Sequence, residues 1–521
     1  MPKILSKHLI LSSIAATGVF CFNNNHIFVQ HHDGLSRRIG QDGYYTEEEV
    51  REYDGTKGKP MFVTFRGGVY DVSTFCKSHP GGDLIAQAAG GDVEPFWQKW
   101  AYHYHSIKVK HALEELRVGT LHENNNNACE SDAMEYGKED MYKDDPYRTN
   151  EHTILTQKPF CSETKHEALK ESYLTSASAL YIRNHAPVPT DLDLETHEII
   201  FSKEQSNEEE KFCTLQLRDI LKNYRSITIT SVLQCAGNRA SEDIKATGNT
   251  GFVGTPFENI QSGEVGNISW TGVPLKDVLC DIFPDECKTQ KSCIEDDKWH
   301  VIFEGADEYE SSTPLSYILD PRVDCILATK MNGISLLPDH GFPVRIILPG
   351  IAGARSVKWV QSTRISKESS KSPWNVHYYR KNDGSHIQKL PLNSIILEPC
   401  NGDSVSRNDD GKIRVLGVAY SGGSGNQVAK VDISVDNGIT WESSKLLTNE
   451  IEPDDSSSFF GWVRFQASVV IPLTNTSSNL HNSSTILCRA TDESGMAQPE
   501  TSPKERGYLY NGWHKVDIKI L

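Results

Sequence analysis

Across 521 residues there is no CxxC pair, no excess of basic charge, no internal repeat and no apolar run long enough to cross a membrane. Each gap removes a class of function. Twelve cysteines lie at irregular spacing between Cys21 and Cys488, which is neither a disulfide framework nor a zinc site. The formal net charge of −17 argues against nucleic acid and suits a basic protein or a small molecule as partner. The N-terminal apolar run LILSSIAATGVFCF spans 14 residues, whereas a stable membrane span takes roughly 20. Acids are also missing from residues 1–32, which carry Lys3 and Lys7. Residues 1–33 are therefore expected to be a removable targeting segment, secretory or mitochondrial.

What is present reads as an α+β multidomain protein, with 37% hydrophobic and 24% charged residues and material for several cores. Residues 42–121 form a first block. Residues 122–150 are polar and acidic, almost without large aliphatics, and are expected to be a flexible linker. Residues 151–392 mix strand and helix signals with Gly-Pro punctuation. Residues 393–521 read as strands throughout, with Val431, Ile433 and Val435 alternating into an Asn437-Gly438 turn, the pattern of an Ig-like β-sandwich.

In the first block, VYDVSTFCKSHPGGD (69–83) precedes EPFWQKWAYHYHSIKVKHALEEL (94–116). His79 stands before a Pro-Gly-Gly turn that lets the backbone approach a flat ligand closely, and His103 and His105 are candidates for the opposite side. FxxxHPGG followed by an aromatic, histidine-rich stretch resembles the cytochrome b5 family over about 80 residues. The resemblance implies b-type haem, with His79 and His103 as axial ligands. Two histidines leave the iron no open position, so it would carry single electrons.

In the second block, ALYIRNHAPVP (179–189) holds Arg183, Asn184 and His185, and SVLQCAGNRASED (231–243) holds Cys235. VIFEGADE (301–308) holds Asp307. MNGISLLPDHGFPVRIILPGIAGARSVKWV (331–360) holds His340, Arg345, Arg355 and Lys358. A cysteine ending a strand is ordinarily core. Grouped arginines, histidines and glycines, however, suit a phosphate-bearing ligand. The alternation before Cys235 places Ile227, Ile229, Leu233 and the thiol on one strand face. Together with ERGYLYNGWHKV near the C-terminus, these motifs resemble the sulfite oxidase family from about residue 42 to 521. Nitrate reductases share the molybdenum motifs, but there the haem domain follows the molybdenum domain. Here it comes first.

The resemblance implies a molybdenum–molybdopterin cofactor with Cys235 as the thiolate ligand. Arg183, Asn184, His185, Asp307, His340, Arg345, Ser356, Val357 and Lys358 would hold the pterin and its phosphate. It further implies oxidation of sulfite to sulfate, electrons leaving through the haem to cytochrome c, a homodimer built on the C-terminal sandwich, and the mitochondrial intermembrane space. The family's sulfite pocket uses three arginines, a tyrosine and a tryptophan. Arg183, Arg506 and Tyr379 match it. The arginine expected directly after CAGNR is Ala240, and the tryptophan position falls on Phe257. Arg239 or Lys245 is expected to compensate in part. An altered substrate of the nitrate-reductase kind, or a haem electron-transfer protein with an impaired molybdenum site, stands as the alternative.

Overall fold

The computed structural model describes residues 28–29, 37–38, 43–77, 82–99, 113–121, 142–204, 211–248, 257–291, 299–372, 374–451, 454–456, 458–471, 483–503 and 508–521. His79, His103, His105 and Arg506 lie outside them. The chain falls into two units, one drawn from residues 1–128 and one running through 129–521.

In the first unit, a sheet in the order Gly43–Tyr45, Arg117–Leu121, Gly68–Asp71, Phe62–Phe65, Gly91–Asp92 backs a short helix, Glu47–Glu52. Thr46 starts that helix. Its hydroxyl accepts from the Glu49 N–H at 3.2 Å, while the Glu49 carboxylate accepts from the Thr46 N–H at 2.9 Å. That reciprocal pair satisfies donors the first turn leaves open. Tyr45, Val50, Phe62 and Val69 form the core beneath.

The second unit holds two larger sheets. One runs Lys211–Gln216, Glu198–Lys203, Val360–Ser366, His300–Gly305, Glu310–Pro314 and is mixed, the 198–203 and 360–366 strands being parallel. The other runs Ile227–Gln234, Val265–Pro274, Ile326–Met331, Ile334–Ser335, with Arg345–Ile347 also pairing the third strand. A smaller sheet joins His152–Gln157, Phe160–Thr164 and Ile182–Arg183.

From Asn393 the chain builds two facing, mainly antiparallel sheets, with Ser404–Val405 pairing parallel to His514–Ile520, around Ile396, Val415, Val431, Ile433, Phe465, Ile486 and Val516. Strands alternate inward and outward there, as a sandwich requires. Asn437 and Gly438 both take positive φ, 59° and 86°, the backbone that their Asn-Gly sequence favours.

The strand Ile227–Gln234 is covered on both faces. Ile229, Leu233 and Cys235 join one cluster with Ile268, Trp270 and Ile347. Val232 joins another with Tyr173, Ile395, Val418, Tyr420 and Trp462, where the sandwich packs. The Val232 N–H donates to the Phe460 carbonyl at 2.9 Å, and the Tyr420 hydroxyl donates to Gln234 Oε1.

The acidic segment read as a linker through residue 150 is anchored at its end. Tyr142 is buried. Arg148 forks onto Asp339, donating from Nε and Nη2 at 2.8 Å each, and also reaches Asp145 at 2.9 Å. Its guanidinium sits 4.2 Å from the Phe160 ring centroid. From Tyr142 onward the chain therefore belongs to the packed domain. Composition could not show this, because the partner of Arg148 is 191 residues away.

Burial alone would raise the Asp339 carboxyl, but hydrogen bonds and charge from Arg148, with Lys358 behind, hold it below its ordinary value. Breaking such a pair by removing one partner costs about 3 kcal/mol. Arg148→Ala is expected to lower the chemical-denaturation stability of this unit by about that much. Because folding depresses this carboxyl, the pair's contribution is present above about pH 4 and is lost as pH falls further. Native protein should therefore lose more stability than Arg148→Ala between neutral and acid pH. Equal losses would contradict the assignment.

Candidate active site

Cys235 follows directly on the buried strand, and a tight turn fixes it. Its N–H donates to the Glu264 carbonyl at 3.0 Å, its carbonyl accepts from the Asn238 N–H at 3.1 Å, and the Gly237 N–H points at its sulfur at 3.4 Å. The Asn238 side chain accepts from the Glu264 N–H at 3.0 Å, tying the turn to the neighbouring strand. A thiol held this way projects from rigid backbone into a cleft.

That cleft gathers most of the residues singled out in the sequence. Arg183, His185, Cys235, Asp307, His340, Arg345, Ser356, Val357, Lys358 and Tyr379 all line it. Asn184 stands behind the wall. Its Nδ2 donates to Asp339 at 2.8 Å and its Oδ1 accepts from Lys358 Nζ. Gly353 also lines the cleft, and a Cβ there would come within 2.9 Å of the Tyr181 hydroxyl and 3.0 Å of the Gln234 carbonyl. Only glycine lets the 353–355 turn pass so close to the cysteine-bearing strand.

The electrostatics favour an anionic ligand. Arg345 is buried, and among the described residues its Nη atoms donate only to the His340 and Ser356 carbonyls, at 3.1 Å each. Its Nε has no hydrogen-bond partner among the described residues, and burial pulls its pKa down to about 10. Burial likewise brings Lys358 to about 8, against the pull of Asp339 and Asp307. His185 and His340 are driven to about 3, first by burial and then by the cations beside them, so both rings are neutral. A buried cation without a counter-charge is expensive unless a ligand supplies one. A phosphate would.

The thiol chemistry agrees. Burial, and then the Glu264 carboxylate, push the Cys235 thiol well above its ordinary value, with Arg183 opposing. A thiol so placed is protonated on its own and becomes a thiolate when a metal cation replaces the proton. Among the described residues no group of three or more His, Cys, Asp or Glu side chains could hold a metal by themselves. A metal here would take one sulfur from the protein and its other ligands from an organic group. The donor set thus fits a metal carried by a phosphate-bearing cofactor.

Two arginines that the sequence placed near this chemistry turn elsewhere. Arg239, with φ of 67°, sends its buried side chain to Glu242, Asn393 and the Gly512 and Trp513 carbonyls. It joins the domain to the sandwich and cannot stand in for the arginine missing at position 240. Arg355 is fully buried on Ser311, Asn375 and the Ile387 and Tyr379 carbonyls. It holds the backbone of Tyr379 rather than a phosphate. Ala240 itself packs with Ile260, Leu155, Ile244 and Tyr508. Tyr508 also packs into the cluster that contains Tyr379. Phe257 begins the turn Phe257–Asn259.

Several participants carried no sequence signal. His185 packs against both Tyr309 and Trp374, at ring-centroid distances of 5.1 and 4.2 Å, and those two rings also touch each other at 5.6 Å. Glu264 is fully buried, and Arg183 Nη1 approaches its Oε1 at 3.5 Å. Among the described residues neither of its carboxylate oxygens has a hydrogen-bond partner. In the sequence it is one more acid in a loop.

Comparison with known proteins is consistent with this geometry. The profile of the "Oxidoreductase molybdopterin binding domain" matches residues 185–374, that of the "Mo-co oxidoreductase dimerisation domain" residues 384–521, and that of the "Cytochrome b5-like Heme/Steroid binding domain" residues 46–122. The mitochondrial sulfite oxidase of Homo sapiens is 34% identical over 498 residues, covering 91% of this chain and 84% of its own. The sulfite oxidase of Gallus gallus is 32% identical, covering 90% of this chain and 99% of its own. In three dimensions, the sulfane dehydrogenase SoxCD of Paracoccus pantotrophus superposes with a TM-score of 0.52 at 21% identity over 75% of this chain and 92% of that one, a likeness of fold. With cysteine, cleft, three family profiles in order and relatives matching over nearly the whole length, the chain belongs to the sulfite oxidase family.

Proposed function

We propose that the Cys235 cleft is where this chain oxidises sulfite to sulfate, with Cys235 as the protein ligand of a molybdenum–molybdopterin cofactor. One observation carries the reading: a rigidly held thiol, a buried Arg345 with no carboxylate partner among the described residues and a half-buried Lys358 share one cleft. When bound, the molybdenum–pterin group supplies the two-electron change and the oxygen-atom transfer.

The chain's own residues bind and orient. Arg345 and Lys358 neutralise the pterin phosphate, His340 and Ser356 add neutral polar contacts, and Asp307 offers a half-buried acceptor to the pterin's N–H groups. Asn184 holds Lys358 in place. His185, neutral and packed against two aromatic rings, contributes hydrogen bonding without charge. Arg183 and Tyr379 face the sulfite oxygens, and Arg506 joins them by family resemblance. The packed walls exclude bulk water, which strengthens each charge contact.

His79 and His103 are proposed to hold a b-type haem, which would supply one-electron chemistry towards cytochrome c. The negative net charge suits a basic acceptor. The dimerisation profile over residues 384–521 supports a homodimer. Relatives named as mitochondrial support a mitochondrial location. Within it we place the protein in the intermembrane space, with 1–33 as its targeting segment.

Sulfite added to the oxidised holoprotein should reduce the haem and then cytochrome c, and Cys235→Ser should abolish both. A silent native protein with full molybdenum content would contradict the reading. Position 240 gives a second test. Restoring a desolvated charge contact to an anion is worth roughly 1.5–3 kcal/mol, or about ten- to more than a hundredfold. Ala240→Arg is therefore expected to lower KM for sulfite, and an unchanged or higher KM would count against a charge-poor pocket.

A further inference from the structure

Glu264 has no role in the chemistry above, and it is costly. With zero exposure, the Glu264 carboxyl is answered only by Arg183 at 3.5 Å and by the Cys235 thiol beside it, against a burial that disfavours its charge. Its place explains what it does. Its backbone is bonded to that of Cys235, and its side chain meets Arg183, a cation of the cleft that also feels Cys235 and Tyr379. Of the cleft's other cations, Arg345 lies against the His340 and Ser356 carbonyls, and Lys358 against Arg183 O, Asn184 and Asp339 O. Arg239 and Arg355 are spent on structural contacts. Position 240 is apolar. Glu163 lies behind Glu264, its Oε1 accepting from the Gly263 N–H at 2.9 Å, and adds no positive charge.

We propose that Glu264 is a specificity-determining, positioning residue: by neutralising Arg183 from behind, it lowers the positive charge the pocket presents to an oxyanion and reduces its preference for doubly charged over singly charged anions. This deepens the reading of the cleft as a sulfite site and rests on it. Coulomb energy scales with the product of the charges. Removing one negative charge from behind the site must therefore favour a dianion by twice the logarithm that it favours a monoanion of the same shape.

The test uses oxidised, full-length holoprotein with molybdenum content verified, and titrates sulfate and singly charged, tetrahedral perchlorate by calorimetry. For Glu264→Gln, about tenfold tighter sulfate and about threefold tighter perchlorate are expected, a two-to-one ratio of logarithms. Glu264→Ala, which also deletes the buried carboxyl, should show the same ratio and serves if the glutamine variant does not load cofactor. Equal changes for both anions, or weaker binding of both, would overturn the proposal, since a merely structural role has no reason to follow ligand charge. Sulfite-dependent haem reduction by the native protein separates the two claims. If it is normal and the charge scaling is absent, Glu264 alone loses its role; if it is absent, the sulfite reading fails and this one with it.

Discussion

Everything at this site depends on a strand that cannot move. Ile227–Gln234 is packed on one face against Trp270 and Ile347 and on the other against the sandwich through Val232, Tyr420 and Trp462. Two-sided burial fixes its register, because a slip of one residue would exchange every side chain between two different cores. Cys235 inherits that rigidity as the next residue, and the turn behind it is bonded to Glu264 and Asn238. A soft-metal ligand needs such a base, since small displacements of a first ligand are felt throughout the site. The sandwich thus supports the chemistry by holding the back of the strand that presents the thiol.

Charge is sorted as strictly as packing. Arg148, Arg239 and Arg355 are satisfied by carboxylates, amides and carbonyls and serve the fold. Arg345 has no carboxylate partner among the described residues, and a phosphate-bearing group would complete it beside Lys358. Arg183 is intermediate, half-answered by Glu264. The same residue type therefore performs three tasks, and only the partners distinguish them.

Those partners explain what could and could not be read in advance. The thiol, the Arg-Asn-His loop, the PDHG turn and the arginines after it were legible because contiguous motifs carried them, and ten of the residues so chosen meet in one cleft. The alternation of Ile229 and Leu233 with Cys235 was equally legible, since strand period alone decides it. Arg239 was misjudged because adjacency to Cys235 in sequence says nothing about a left-handed turn that sends its side chain to the sandwich. The anchoring of residues 142–150 was hidden by composition: acidic and polar residues read as linker until Arg148 meets Asp339. Glu264 and Trp374 gave no signal at all, because burial and stacking are properties of the folded chain.

The central claim is that Cys235 binds the metal. X-ray absorption at the molybdenum edge of the holoprotein, compared with Cys235→Ala carrying the same cofactor, tests it most directly. The expected result is loss of one sulfur scatterer from the metal's shell in the variant. An unchanged sulfur shell would contradict the account.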